Sequence, residues 1–259
     1  MLDYMEVARE AALEAGMFLN QQFNALKQVE KKFDGSLVTE FDKKSEQLII
    51  QKIAGSFPKH SILAEESGRQ GKDEFLWVVD PLDGTHNFIR GITMYGVCIG
   101  LVYRDEFVGG VVYMPSYDEM YMAEKGSGAF KNGKSVVVSR ISSLPEATLL
   151  YDSGIAVDGE IKVHLLFELS RRFFNVRMLG ASCRNLTWLA EGKADVLMEF
   201  GEKPWDFVAG AVILVEAGGV IRGLHGEDID INSKSYIASN GLLDLEMRKI
   251  AGKALERKR

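Results

Sequence analysis

The sequence predicts an α+β fold built as one compact unit of two lobes, residues 1–143 and 144–259. Three observations predict it. Two amphipathic helical patterns open the chain, a long series of short β-type runs broken by turn residues follows, and beyond about Leu144 the pattern changes to alternating strands and helices. No stretch rich in Pro, Gly or Ser separates the halves, and no internal repeat or low-complexity segment interrupts them, so they pack as one unit.

From Tyr4 to Phe23, Val7, Ala8, Ala11, Ala12, Ala15, Phe18 and Leu19 recur at three and four, forming one face of a helix. A second helix is predicted from Thr39 to Ala54, with Phe41, Leu48, Ile49 and Ile53 apolar; Thr39, three residues before Asp42, makes a capping signature at its start. Ser61-Ile62-Leu63-Ala64 reads as a strand delivering Glu65-Glu66 to its C-terminal edge. Phe75 to Asp80 is another strand, stopped by Pro81, which cannot continue a ladder. Between Tyr95 and Val138 the runs read as antiparallel sheet, with Asn132-Gly133 as a hairpin turn. Gly126-Ser127-Gly128 is a loop before that hairpin. The second half alternates: strand Thr148 to Tyr151, helix Glu160 to Arg172, strand Val176 to Leu179, helix Ser182 to Ala190, strand Val196 to Glu199. A helix from Asp206 to Ala217, a strand at Tyr236 to Ala238 and a last helix from Leu242 complete it.

Composition excludes several classes. Of 259 residues, 46% are hydrophobic and 26% charged, and 31 Lys+Arg against 37 Asp+Glu leave a net charge of -6, which is no footprint for nucleic acid. The one dense basic run, Arg257-Lys258-Arg259, reads as a solvated helix end. Cys98 and Cys183 show neither a disulfide framework nor zinc-ligand spacing, and a reducing compartment fits them best. The N-terminus lacks a basic and apolar leader pattern, so the chain reads as cytoplasmic. The apolar run at Met94 to Tyr103 is too short to span a bilayer and Glu216 interrupts the one at Phe207 to Ile221, so no membrane partner is expected.

The chemistry concentrates in Trp77-Val78-Val79-Asp80-Pro81-Leu82-Asp83-Gly84-Thr85-His86-Asn87-Phe88. A strand pushes Asp80 to its end, Asp83 follows the turn, and Gly84-Thr85 open a short helix, so two carboxylates converge beside backbone N–H groups. Carboxylates suit a hard cation such as Mg²⁺, and a helix start suits a phosphate bridging to it. The plainer alternative is a simple turn in which Asp80 caps the helix. Glu65, Glu66 and Asp206 occupy similar positions at element ends. Singly each is a plausible cap; together they would repel one another unless a cation held them. His60, His86, His164 and His225 show no paired spacing, which disfavours a phosphohistidine route, and His86 reads as a rim residue. No P-loop or dinucleotide glycine pattern occurs.

Residues 77–88 resemble one signature of the inositol monophosphatase family, within the larger group that includes fructose-1,6-bisphosphatases and 3′-phosphoadenosine nucleotide phosphatases. Trp205-Asp206 through Gly218-Gly219 resembles the second. The likeness runs in order from Val38-Thr39-x-x-Asp42 through Ala64-Glu65-Glu66 to Ala238-Ser239-Asn240. It implies a layered αβαβα sandwich and two or three Mg²⁺ ions: one on Glu65, Asp80 and the Leu82 carbonyl, a second on Asp80, Asp83 and Asp206, and a weaker third near Glu65. It implies that the Gly84 and Thr85 amides hold the phosphate, with Leu82, Asp83 and Asp206 around it, and that Thr85 with Asp42 positions or deprotonates an attacking water. Gly180, Ala181, Ser182 and Glu199 are implied around the polyol hydroxyls. The implied catalytic set is Asp42, Glu65, Asp80, Asp83, Thr85 and Asp206, although Asp42 is equally suited to capping.

The activity implied is direct hydrolysis of myo-inositol monophosphate, with Li⁺ sensitivity and a homodimer. One ion would lower the water pKa while another, about 3.5 to 4 Å away, stabilises the leaving oxygen. Fructose 1,6-bisphosphate is an alternative substrate; 3′-phosphoadenosine nucleotides and histidinol phosphate are lesser ones. A regulatory binding partner with secondary phosphatase activity is the reading from another class. Two departures, Gly180-Ala181-Ser182-Cys183 in place of Gly-Ser/Thr-Ala-Ala and Val208 in place of Ala, bear on substrate identity.

Overall fold

A computed structural model of the chain describes residues 4–25, 28–32, 37–157 and 159–256. The predicted basic tail, 257–259, lies outside them. The first half contains α1 (Tyr4–Gln22), β1 (Val29–Lys31), β2 (Leu37–Thr39), α2 (Glu40–Ser56), β3 (Ser61–Ala64), β4 (Gly68–Gln70), β5 (Phe75–Asp83) and α3 (Thr85–Ile89). The meander β6 (Gly96–Tyr103), β7 (Glu106–Met114), β8 (Glu119–Glu124), β9 (Ala129–Lys131) and β10 (Lys134–Val136) follows. The second half holds β11 (Thr148–Tyr151), α4 (Gly159–Ser170), β12 (Asn175–Arg177), α5 (Ser182–Ala190), β13 (Val196–Phe200), α6 (Pro204–Glu216), β14 (Val220–Gly223), β15 (Ser235–Ser239) and α7 (Asp244–Glu256).

These elements form five layers. An eight-stranded sheet, ordered β10-β9-β8-β7-β6-β5-β3-β4, and a five-stranded sheet, ordered β12-β11-β13-β15-β14, sandwich α5 and α6. Three apolar clusters fill the gaps between layers. Ala8, Ala11, Ala12, Ala15, Leu19, Ile49 and Ile53 of α1 and α2 pack on Trp77, Val79 and Ile99 of the larger sheet. Leu76, Val78 and Cys98 of that sheet's other face meet Leu186, Phe207 and Val212, which also meet Leu197 and Ala238 of the smaller sheet. Leu165, Leu169, Met247 and Ala251 of α4 and α7 cover the smaller sheet's outer face. The alternation of Trp77 and Val79 with Leu76 and Val78 is the period of two that a doubly covered strand requires.

Local chemistry fixes the boundaries. Thr39 and Asp42 form the expected capping box of α2. Asn132 (φ 48°) and Gly133 (φ 75°) are both left-handed, making the two-residue turn that pairs Lys131 with Lys134. The crossover between sheets is tied down by Asn240, whose amide donates to Ser139 Oγ (2.9 Å) and the Ile141 carbonyl (2.7 Å).

Four expectations are corrected. Pro81 does not stop its strand, which continues to Asp83 through a bulge: Asp80 pairs Cys98 and Asp83 pairs Gly96, leaving Pro81 and Leu82 opposite Val97. A bulge asks no ladder N–H of Pro81. The strand near Val176 ends at Arg177, because the Leu179 carbonyl is taken by the Asn87 side chain (2.8 Å). α6 begins at Pro204, where a missing N–H costs nothing, rather than at Asp206. β14 was not anticipated, and β15 runs antiparallel to both its neighbours, so the smaller sheet is mixed. No described helix is long and apolar enough to cross a membrane.

Helix α6 lies so close to the larger sheet that a Cβ at Gly110 would stand 2.3 Å from the Ala209 carbonyl oxygen. Gly110→Ala is expected to cost about 1–3 kcal/mol in urea unfolding. Gly55→Ala in α2, with nothing within 4 Å, is expected to leave stability unchanged or raise it.

Candidate active site

Because β3 and β5 run parallel with Ala64 beside Val79, the next residues, Glu65 just past the end of β3 and Asp80 at the start of the β5 bulge, lie side by side. The bulge then returns Asp83 to the same edge. Asp42 and Asp206 are the N3 residues of α2 and α6; Asp42 completes a capping box, its Oδ2 accepting from the Thr39 amide (2.8 Å), while Asp206 makes the reciprocal half alone, its Oδ2 accepting from the amide of the N-cap Lys203 (2.6 Å). Asp83 caps a third helix. The N-cap of α5 is Ala181, which has no side-chain acceptor, and Asp83 takes the amides of Ser182 (3.3 Å) and Cys183 (2.6 Å) instead. The capping and cluster readings therefore both hold for these acids, since a helix start stabilises a carboxylate wherever it points. Asp80 caps no helix; it accepts the Leu82 amide at 2.9 Å.

Burial and mutual repulsion dominate the electrostatics. Burial first, then the charges of Glu65, Asp83 and Asp206, pushes Asp80 well above the usual carboxylate range. Burial raises Glu65 to about 7 against the pull of Lys32, and raises Asp206 to about 8, with Asp83 and Glu65 adding to it. Asp83 rises for the same first cause, offset by the Cys183 and Ser182 bonds. Oxygen-only donors under such repulsion suit a hard divalent cation. A cation already stands beside them: the Lys32 ammonium bridges Glu65 Oε1 (2.7 Å) and Glu66 Oε1 (2.6 Å).

Around these acids lies a cavity of about 580 Å³ lined by Glu65, Asp80, Leu82, Asp83, Gly84, Thr85, Gly180 and Asp206, with exposed His86 at its rim. Gly84 (φ +82°) is required twice over, by its left-handed turn and because a Cβ would lie 2.9 Å from the Met94 carbonyl. Thr85 Oγ lies 3.0 Å from both Asp42 Oδ1 and the Leu82 carbonyl. Asp42 is fully buried, which raises its carboxyl, while bonds from Thr39 and Thr85 pull it down.

A second cavity of about 520 Å³ shares Asp83, Gly180 and Asp206 with the first and adds Ala181, Ser182 and Glu199. The residues named from the sequence thus line these two spaces, except Asp42, which reaches them through Thr85, and Glu66, which lines neither and pairs with Lys32. The sequence reading missed Glu202, which accepts from Ser182 Oγ (2.8 Å), Asn185, which donates to Glu199 Oε1 (2.6 Å), and the buried pair Lys162–Asp152. Glu202, four residues before Asp206, carried a positional signal; Lys162 inside a helix carried none. His60 serves the core, accepting from Trp77 Nε1 (3.1 Å) between the rings of Phe57 and Phe75.

Comparison with known proteins supplies relatives along the whole chain. The model of the inositol monophosphatase family matches residues 1–257. A fructose-1,6-bisphosphatase/inositol-1-monophosphatase of Aquifex aeolicus is 38% identical over 258 residues, covering 98% of this chain and 97% of that protein. An inositol monophosphatase 2 of Solanum lycopersicum is 39% identical, covering 94% and 96%. A Thermotoga maritima IMPase structure superposes with TM-score 0.91 at 32% identity, covering 99% of each chain.

The raised acids set a pH dependence for the chelated protein. Glu65 and Asp206 titrate higher folded than unfolded, so their contribution is present at low pH and lost as pH climbs through about 7 and 8. With chelator present, the melting temperature is expected to fall between about pH 5 and pH 8. Excess Mg²⁺ should raise it more at the higher pH, and Asp206→Asn should flatten the chelated profile; differential scanning calorimetry reads all three.

Proposed function

Because the chain belongs to the inositol monophosphatase family, a family of metal-dependent phosphatases, we propose that it is a Mg²⁺-dependent phosphomonoesterase hydrolysing myo-inositol monophosphate to inositol and phosphate. The observation that carries this reading is the convergence of Glu65, Asp80, Asp83 and Asp206 on one cavity that also holds Gly84 and Thr85. In it, Glu65, Asp80 and the Leu82 carbonyl would hold one ion, and Asp80, Asp83 and Asp206 a second. When bound, divalent ions lower the pKa of water and offset charge on the attacking and leaving oxygens.

The chain's own groups do the rest. Gly84 and Thr85, which line the cavity, would offer their amides to the phosphate, whose charge would otherwise be exposed to the acids. Thr85 Oγ accepts a proton from the attacking water while donating its own toward Asp42, whose burial favours the protonated product. Ala181 packs beside Gly84 and lines the second cavity with Gly180 and Ser182, where Glu199, oriented by Asn185, accepts hydroxyl bonds from the leaving polyol. Fructose 1,6-bisphosphate fits the same reading as a second substrate, in keeping with the double name of the Aquifex aeolicus relative. A cytoplasmic homodimer belongs to the same reading.

A Mg²⁺-supplemented phosphate-release assay on inositol 1-phosphate, fructose 1,6-bisphosphate, histidinol phosphate and adenosine 3′,5′-bisphosphate tests it. Inositol 1-phosphate should give the highest kcat/KM. Asp83→Asn and Asp206→Asn should each lose more than the ~10–100-fold that removal of an outer support costs, and Thr85→Ala about 10²–10⁴-fold. Wild-type turnover in both aspartate variants would refute the ligand assignment.

A further inference from the structure

Cys98 and Cys183 are far apart in sequence and lack metal-ligand spacing, yet the fold brings them together against an acid. Cys98 lies on β6 and Cys183 on α5, both 1% exposed, and their sulfurs lie with a carboxylate oxygen of Asp83 within 4.8 Å of one another. A third soft atom is close: Met114 Sδ of β7 is 3.5 Å from Cys183 Sγ. The space between them exists because residue 96 is glycine. A Cβ there would stand 2.8 Å from Met114 Sδ and 2.9 Å from Cys183 Sγ. Asp83 lines both cavities described above, which connects the cluster to solvent.

Two thiols, a thioether and a carboxylate are the donor set of a soft divalent ion, in contrast to the all-oxygen cluster next to it. With metal–sulfur bonds of about 2.3 Å, tetrahedral donors stand about 3.8 Å apart, so closure needs shifts of only about 1 Å. We propose that Cys98, Cys183, Asp83 and Met114 form a thiophilic divalent-cation site whose occupancy, by an ion of the Zn²⁺ or Cd²⁺ class, inhibits the enzyme by taking Asp83 from the hard-cation cluster. Both thiols bind as thiolates, so each ion captured releases two protons to solvent.

Cd²⁺ is the probe, titrated into the full chain with Mg²⁺ present. The expected result is one Cd²⁺ per chain with an ultraviolet sulfur-to-cadmium charge-transfer band, absent from Cys98→Ala and from Cys183→Ala. Calorimetry of the unmodified protein in two buffers of different ionisation enthalpy should show two protons released per ion, a readout that depends on no variant folding. Met114→Leu should weaken binding and keep the band. No band in the parent, a band surviving in Cys98→Ala/Cys183→Ala, or release of fewer than one proton overturns the site. The inhibition arm rests on the phosphatase reading. Cys98→Ala, with its Mg²⁺-supported activity retained, should need about tenfold more Cd²⁺ for half-inhibition; equal sensitivity would overturn the link to Asp83. A parent that binds Cd²⁺ but releases phosphate from no monoester would refute the proposed function and leave the site standing.

Discussion

Buried like charge is the constraint on which the molecule is organised. Asp80 and Asp83 are at most 8% exposed, and Glu65 and Asp206 share their pocket, an arrangement that costs free energy in proportion to how far each carboxyl must be lifted from its ordinary pKa. Three features offset that cost within the chain. Helix starts meet Asp42, Asp83 and Asp206, the Leu82 amide donates to Asp80, and the Lys32 ammonium faces Glu65. What remains uncompensated is repulsion that a bound cation would relieve.

The layers exist to place those helix starts. α5 and α6 pack between two sheets with apolar neighbours on both sides, which fixes their axes, and with them Ser182, Cys183 and Asp206, to the spacing of a core rather than a loop. The β5 bulge performs the complementary task from the sheet: it turns one strand end into two carboxylates and a carbonyl. Gly110 and Gly84 are the points of closest approach that let these pieces meet.

Much of this was legible in the chain. The capping signature at Thr39 and Asp42, the Asn132-Gly133 hairpin, the apolar stripe of α1 and the switch to alternating elements after residue 144 are local patterns, each set by neighbours within a few positions. The reading of Pro81 as a stop failed because proline forbids a ladder bond, not a strand, and a bulge removes the demand for that bond. β14 and the short β1 and β4 escaped because each carries charged residues or glycine among its three or four positions, unlike the equally short but largely apolar β3 and β11.

The sequence by itself determined the acids, the glycines and the order of elements, because propensity, capping and periodicity act over one or two turns of chain. Only the tertiary structure decided which acids share a cavity, that Asp83 caps a helix roughly a hundred residues away, that Glu202 and Lys162 face the same space as Glu199, and that the sulfurs of Cys98 and Cys183 lie within 4.8 Å of one another. Those facts depend on sheet register and helix packing, which couple residues through space regardless of their distance along the chain.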